Sequence, residues 1–104
     1  MTKTKQFDEL EFNNKDGVVY VTGALNRNSV PSAWHERSAW AAGTGALCLN
    51  LSKISAVDSA GLAMLIQLKA ELNKQQRALA LQDVNKQLVA FAEVSGVTEL
   101  LSLS

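Results

Sequence analysis

The sequence has very little cysteine, proline or histidine, one of each in 104 residues, and it has no net charge. A lone cysteine, Cys48, excludes an internal disulfide framework and fits a reducing compartment. One histidine and one cysteine cannot supply a cluster with metal-ligand spacing. Ten basic residues balance ten acidic ones with no Lys/Arg cluster, so no footprint for a nucleic-acid backbone is expected. The apolar runs are short and interrupted, which excludes a bilayer span. The start, Met1 to Gln6, is charged and leads into Asp8, Glu9 and Glu11, where a signal peptide would need an apolar core. Gly43-Thr44-Gly45 is too short for a phosphate-cradling loop of Walker type. His35 has no nucleophile and orienting partner in view, so a solvated side chain is the expected role. These absences predict a cytoplasmic chain that is not an enzyme, holds no metal or cofactor, and inserts nothing into a membrane.

What is present suits one domain spanning residues 1–104. Hydrophobic residues make up 47% and charged residues 19%, enough apolar surface to drive folding. Residues 7–12 mix apolar and acidic positions like a short edge strand, and residues 13–17, Asn-Asn-Lys-Asp-Gly, have the composition of a turn. Val18 to Thr22 is a β-branched and aromatic strand closed by Gly23. Ser29 and Pro31 suit the start of a helix running to about Ala42. Residues 46–51 are mostly apolar, as in a strand buried on both faces with Cys48 inside it. Leu62, Leu65, Leu68 and Leu72 recur at helical spacing over residues 59–76. Residues 78–81 form another short strand. Asn85 suits the cap of a third helix carrying Leu88, Phe91 and Ala92, with Gly96 past its end and an apolar tail over 97–103. The order β-β-α-β-α-β-α requires parallel crossovers from the second strand onward, hence a small mixed β-sheet with helices packed against it, an α/β fold.

Chemistry concentrates where the central strand leads into the second helix, at Val57-Asp58-Ser59-Ala60-Gly61-Leu62. A helix N-terminus exposes unpaired N–H groups and carries about half a positive charge. Asp58 or Ser59 caps it, a contribution of about 1 kcal/mol. Alternatively Ser59 presents its hydroxyl outward, and the small Ala60 and Gly61 let another protein's backbone approach. Met64 and Ile66 lie off the leucine stripe, either in a wide core stripe or on a docking face. Trp34 and Trp40 are six residues apart and point to different sides of a helix. Core packing is expected for Trp34, and a boundary position or partner contact for Trp40.

The segment Val57 to Leu62, following an apolar strand and a short loop, resembles the D-S/T-x-G-L signature of STAS domains, a group that includes the anti-sigma factor antagonists. The resemblance extends over nearly the whole chain: the first hairpin, the final helix, and Gly23-Ala24-Leu25-Asn26, similar to the family's G-E-L-D with Ala24 and Asn26 in place of the carboxylates. It implies the STAS (SpoIIAA-like) fold. Trp34 and the short length look most like the MlaB-type STAS subunit of the ABC transporter that maintains lipid asymmetry, although Ser59 stands where that subunit often has Thr. That resemblance implies a non-catalytic accessory subunit, peripheral to the inner membrane. Asp58, Ser59, Ala60, Gly61, Met64 and Ile66 would press against the cytoplasmic ATPase of a complex that also contains a permease. The alternative it implies is an anti-sigma factor antagonist, with an anti-sigma factor or serine kinase as partner and Ser59 as the phosphorylated residue.

Overall fold

The structure, a computed structural model, describes residues 3–7 (as backbone), 10–84 and 86–97. The chain runs β1 (Lys3–Phe7), β2 (Leu10–Lys15), β3 (Val18–Leu25), α1 (Val30–His35), a 3-10 turn (Arg37–Ala39), β4 (Leu47–Val57), α2 (Ser59–Lys74), β5 (Leu79–Gln82) and α3 (Lys86–Ser95). The five strands lie in sequential order in one sheet. β1, β2 and β3 form an antiparallel meander, and β3, β4 and β5 are parallel. The expected mixed α/β sheet is present, with one strand more than the sequence pattern suggested. The single edge strand expected over residues 7–12 is divided: Phe7 closes β1 and pairs with Leu10, which opens β2.

Several boundaries differ from expectation for local physical reasons. Asn13, Asn14 and Lys15 belong to β2, because only Asp16 and Gly17, at φ 53° and 84°, turn the chain. Two consecutive positive φ angles match the twist of a hairpin, so two residues suffice. Gly23 does not end its strand. At φ 109° it sits at a register shift, and β3 continues through Ala24 and Leu25 to pair with Ala56 and Val57. β4 likewise extends well past Leu51, since pairing with β3 outweighs the weak strand propensity of its Ser and Lys residues. The first helix stops at His35 and tightens into the 3-10 turn, instead of reaching Ala42. Ser29 occupies the N-cap position without capping through its side chain. Its buried hydroxyl donates to the Ala24 carbonyl at 2.7 Å, and the Asn26 Oδ1 accepts the N–H groups of Asn28 and Ser29 instead. Asn85 and residues 98–103, expected as a helix cap and an apolar tail, lie outside the described residues.

The core forms where the inward side chains of β2, β3 and β4 meet α2. Phe12, Val21, Leu49 and Leu51 face Leu62, Leu65, Leu68 and Leu72, all buried. Each such leucine contributes about 2 kcal/mol by leaving water. Leu88 and Ala92 add the inner side of α3. The opposite face of the sheet carries Glu11, Asn13, Tyr20, Thr22 and Lys53 around an open concavity. Cys48 is half-buried, less enclosed than a strand covered on both faces would make it.

Candidate functional site

At the end of β4 the chain is extended through Asp58 and becomes helical at Ser59. Asp58 is the cap. Its Oδ1 accepts the N–H of Ala60 at 2.9 Å and of Gly61 at 3.2 Å. Its Oδ2 accepts the N–H of Arg27 at 3.1 Å, which ties the β3–α1 connection to the same carboxylate. Its own N–H donates to the Leu25 carbonyl. Both carboxylate oxygens are therefore engaged inside the protein, which makes Asp58 the residue that holds the corner and not a group free for a partner.

Gly61 is also structural. A Cβ there would press into the Leu25 carbonyl oxygen and lie 2.7 Å from Leu25 Cβ and 2.9 Å from Val57 Cγ2. Its smallness lets α2 rest on the ends of β3 and β4. Met64 is 3% exposed and belongs to the core, and Ile66 is half-buried against it.

Ser59 differs from its neighbours. It is exposed, and its hydroxyl makes no hydrogen bond to another described residue. Beside it α1 and α2 frame an apolar groove of about 270 Å³, floored by Ala60, Ala63 and Met64 and walled by Val30, Pro31 and Trp34. An outward hydroxyl and an apolar groove together offer a polar point contact and a seat for a small side chain.

Trp40 is more deeply buried than expected, and Trp34, expected in the core, packs against the core only at its edge. Trp40 is 5% exposed, stacks on Phe12 with centroids 4.3 Å apart and rings 8° from parallel, and donates its indole N–H to the Ala33 carbonyl at 3.0 Å. Trp40 is thus core and not a partner contact. Trp34 is half-buried and forms the groove wall, held by Arg37, whose guanidinium lies 4.2 Å from the ring centroid. Arg37 in turn grips Glu71 with two hydrogen bonds, Nε to Oε2 at 2.7 Å and Nη2 to Oε1 at 2.8 Å. The hydrogen bond from Arg37, opposed by partial burial, holds the Glu71 carboxyl below the usual carboxylate range, and the same bond raises Arg37. This brace joins positions 34 residues apart, and no sequence spacing announces it.

Among the described residues no three His, Cys, Asp or Glu side chains gather as a metal site, and no helix is long and apolar enough to cross a membrane. His35 is exposed.

Comparisons with known proteins agree with this geometry. The sequence model of the family described as "Mlab, STAS domain" matches residues 9–102. The intermembrane phospholipid transport system binding protein MlaB of Escherichia coli (strain K12) is 32% identical over 74 residues, covering 71% of this chain and 74% of that protein; the same figures hold for the protein of that name in Shigella flexneri. In structure, an anti-sigma factor antagonist from Mycobacterium paratuberculosis superposes with a TM-score of 0.65 at 19% identity, over 95% of this chain and 80% of that one. A murine solute carrier 26 family anion transporter gives a TM-score of 0.65 at 24% identity over 80% of this chain, which spans only 14% of that longer protein. These two structural likenesses speak for the fold. The family match over residues 9–102 and the MlaB identity establish that the chain belongs to the STAS domain family, in its MlaB-type branch.

Proposed function

We propose that this chain is a non-catalytic subunit of a phospholipid transport system working between the inner and outer membranes, and that it docks onto the cytoplasmic ATPase of an ABC transporter through the Ser59 corner. The subunit stabilises or tunes that ATPase, reaches the inner membrane only through the complex and its permease, and touches no lipid itself. The identity to MlaB supports the transport system. The observation that carries the docking surface is the free Ser59 hydroxyl beside the α1–α2 groove, within a motif whose other polar side chain, Asp58, is spent internally. Copurification tests it. Wild type is expected to bring down the ATPase from its own cell extract, and Ser59→Arg to lose it while remaining folded. If wild type captures no ATPase, the reading fails.

One feature favours a second reading, an anti-sigma factor antagonist switched at Ser59. The hydroxyl is exposed in the first turn of α2, where a phosphate would be accessible to a kinase and stabilised by the helix N-terminus. A phosphoserine adds about −1.5 to −2 charges, which a surface built for a neutral hydroxyl would repel. Intact mass after incubation with the host's serine kinases decides between them: a phosphate on Ser59 supports the switch, and an unmodified chain rejects it.

A further inference from the structure

At the far end of α2 lies a second feature, independent of the Ser59 corner. Arg77 is 6% exposed, and among the described residues no carboxylate stands within ion-pair distance of it. Its guanidinium is held by carbonyl oxygens: Nε donates to Gly45 at 2.7 Å, Nη1 to Ala41 at 2.8 Å and to the Gln75 Oε1 at a long 3.5 Å, and Nη2 to Ala42 at a weak 3.4 Å. Neutral carbonyl oxygens take up most of its hydrogen bonds but leave its charge in place, and a buried charge without a counter-charge is unfavourable. The carboxyl end of α2 offsets only part of it, since a helix terminus carries about half a charge.

Arg77 lines a pocket of about 430 Å³ together with Ser38, Gly43 and the Arg37–Glu71 pair. That pair is neutral overall, so Arg77 leaves the pocket positive. Gly43, at φ 121°, lies against Nη2; a Cβ there would stand 3.6 Å from that nitrogen. The Gly43 N–H has no acceptor among the described residues. Ser38 is exposed at the rim and adds a hydroxyl. An under-used guanidinium nitrogen, a free N–H and a hydroxyl around one positive cavity form a donor set that matches an oxyanion.

We propose that this pocket binds a small oxyanion, a free phosphate or a carboxylate, with the Arg77 guanidinium as its counter-charge and the 41–46 loop as its frame. Binding would fix that loop, which Arg77 already ties to the start of β5.

The test is titration of the isotope-labelled full chain with sodium phosphate and, separately, sodium acetate, each against sodium chloride at equal ionic strength, following backbone amide signals. The Gly43, Thr44 and Gly45 amides are expected to shift saturably with at least one of the two anions. Saturation by phosphate alone identifies a phosphate site, and saturation by acetate alone a carboxylate site. Arg77→Gln should abolish the shift. Because that variant also removes the loop's anchor, Ser38→Glu serves as a second probe: it places a carboxylate at the rim and should weaken binding by about tenfold or more without disturbing the fold. Amides 43–45 that move no more with phosphate or acetate than with chloride, or that respond equally in Ser38→Glu, would overturn the proposal.

Discussion

The two ends of α2 solve one problem with opposite charges. At its start a carboxylate, Asp58, collects three backbone N–H groups. Just past its end a guanidinium, Arg77, collects backbone carbonyls from the 41–46 loop. Each thereby ties a distant segment to the helix: Arg27 at one end, residues 41–45 at the other. Asp58 is half-buried and its partners suit a carboxylate, so the capping chemistry is complete and the neighbouring Ser59 is left outward. Arg77 is enclosed and keeps an unbalanced charge. At the start of α2 the capping is complete and one polar group, the Ser59 hydroxyl, is left over; at its end the charge itself is left over.

Four substitutions sharpen this comparison. The largest effect is expected from Arg77→Met, which leaves the buried Ala41 carbonyl and the partly covered Gly45 carbonyl without their donor and should cost about 3 kcal/mol, measured by chemical denaturation. Gly61→Ala forces a methyl against the Leu25 carbonyl and should cost about 2 kcal/mol; an unchanged midpoint would mean that α2 is not seated as closely as described. Asp58→Ala removes the cap and the Arg27 tie and should cost about 1–2 kcal/mol, with faster amide exchange at Arg27, Ala60 and Gly61. Ser59→Ala should change stability by less than about 0.5 kcal/mol, since the hydroxyl has no internal partner; a clear loss would show that the serine is structural.

A small, pH-dependent effect is expected from the brace behind Trp34. The folded pKa of Glu71 is below its unfolded value, so its contribution is present above the ordinary carboxylate range and is lost as pH falls through the lowered folded value. Both partners are partly exposed, which limits the size. The melting temperature of Glu71→Gln should sit slightly below wild type at neutral pH, with the gap closing in acid. A gap that widens in acid would contradict the ion pair.

How much of this was legible in the sequence differs between the same regions. The leucine stripe of α2, the β3 run and the Asp58-Ser59 junction are local patterns, and the structure follows them. β1 was missed because Lys3 to Gln6 has neither apolar alternation nor β-branched runs. β4 extends past its apolar half because pairing with β3 is a long-range effect. The role of Gly61 is not legible in sequence: a small residue there looks the same whether it admits a partner or its own strands, and only the structure brings it against Leu25 and Val57. Trp40 turns into the core because α1 stops at His35 and a 3-10 turn follows, so helical spacing no longer sets its direction. The Arg37–Glu71 brace and the Arg77 anchor join residues more than 30 positions apart, where no motif could reveal them.

The most direct test of the docking claim is site-specific photo-crosslinking in the assembled transporter, with the photoreactive side chain placed at position 59 or, as a control, at position 20 on the open sheet face. The account predicts a covalent adduct to the ATPase from position 59 and none from position 20. An adduct from position 20 alone would place the interface on the wrong side of the molecule and contradict it.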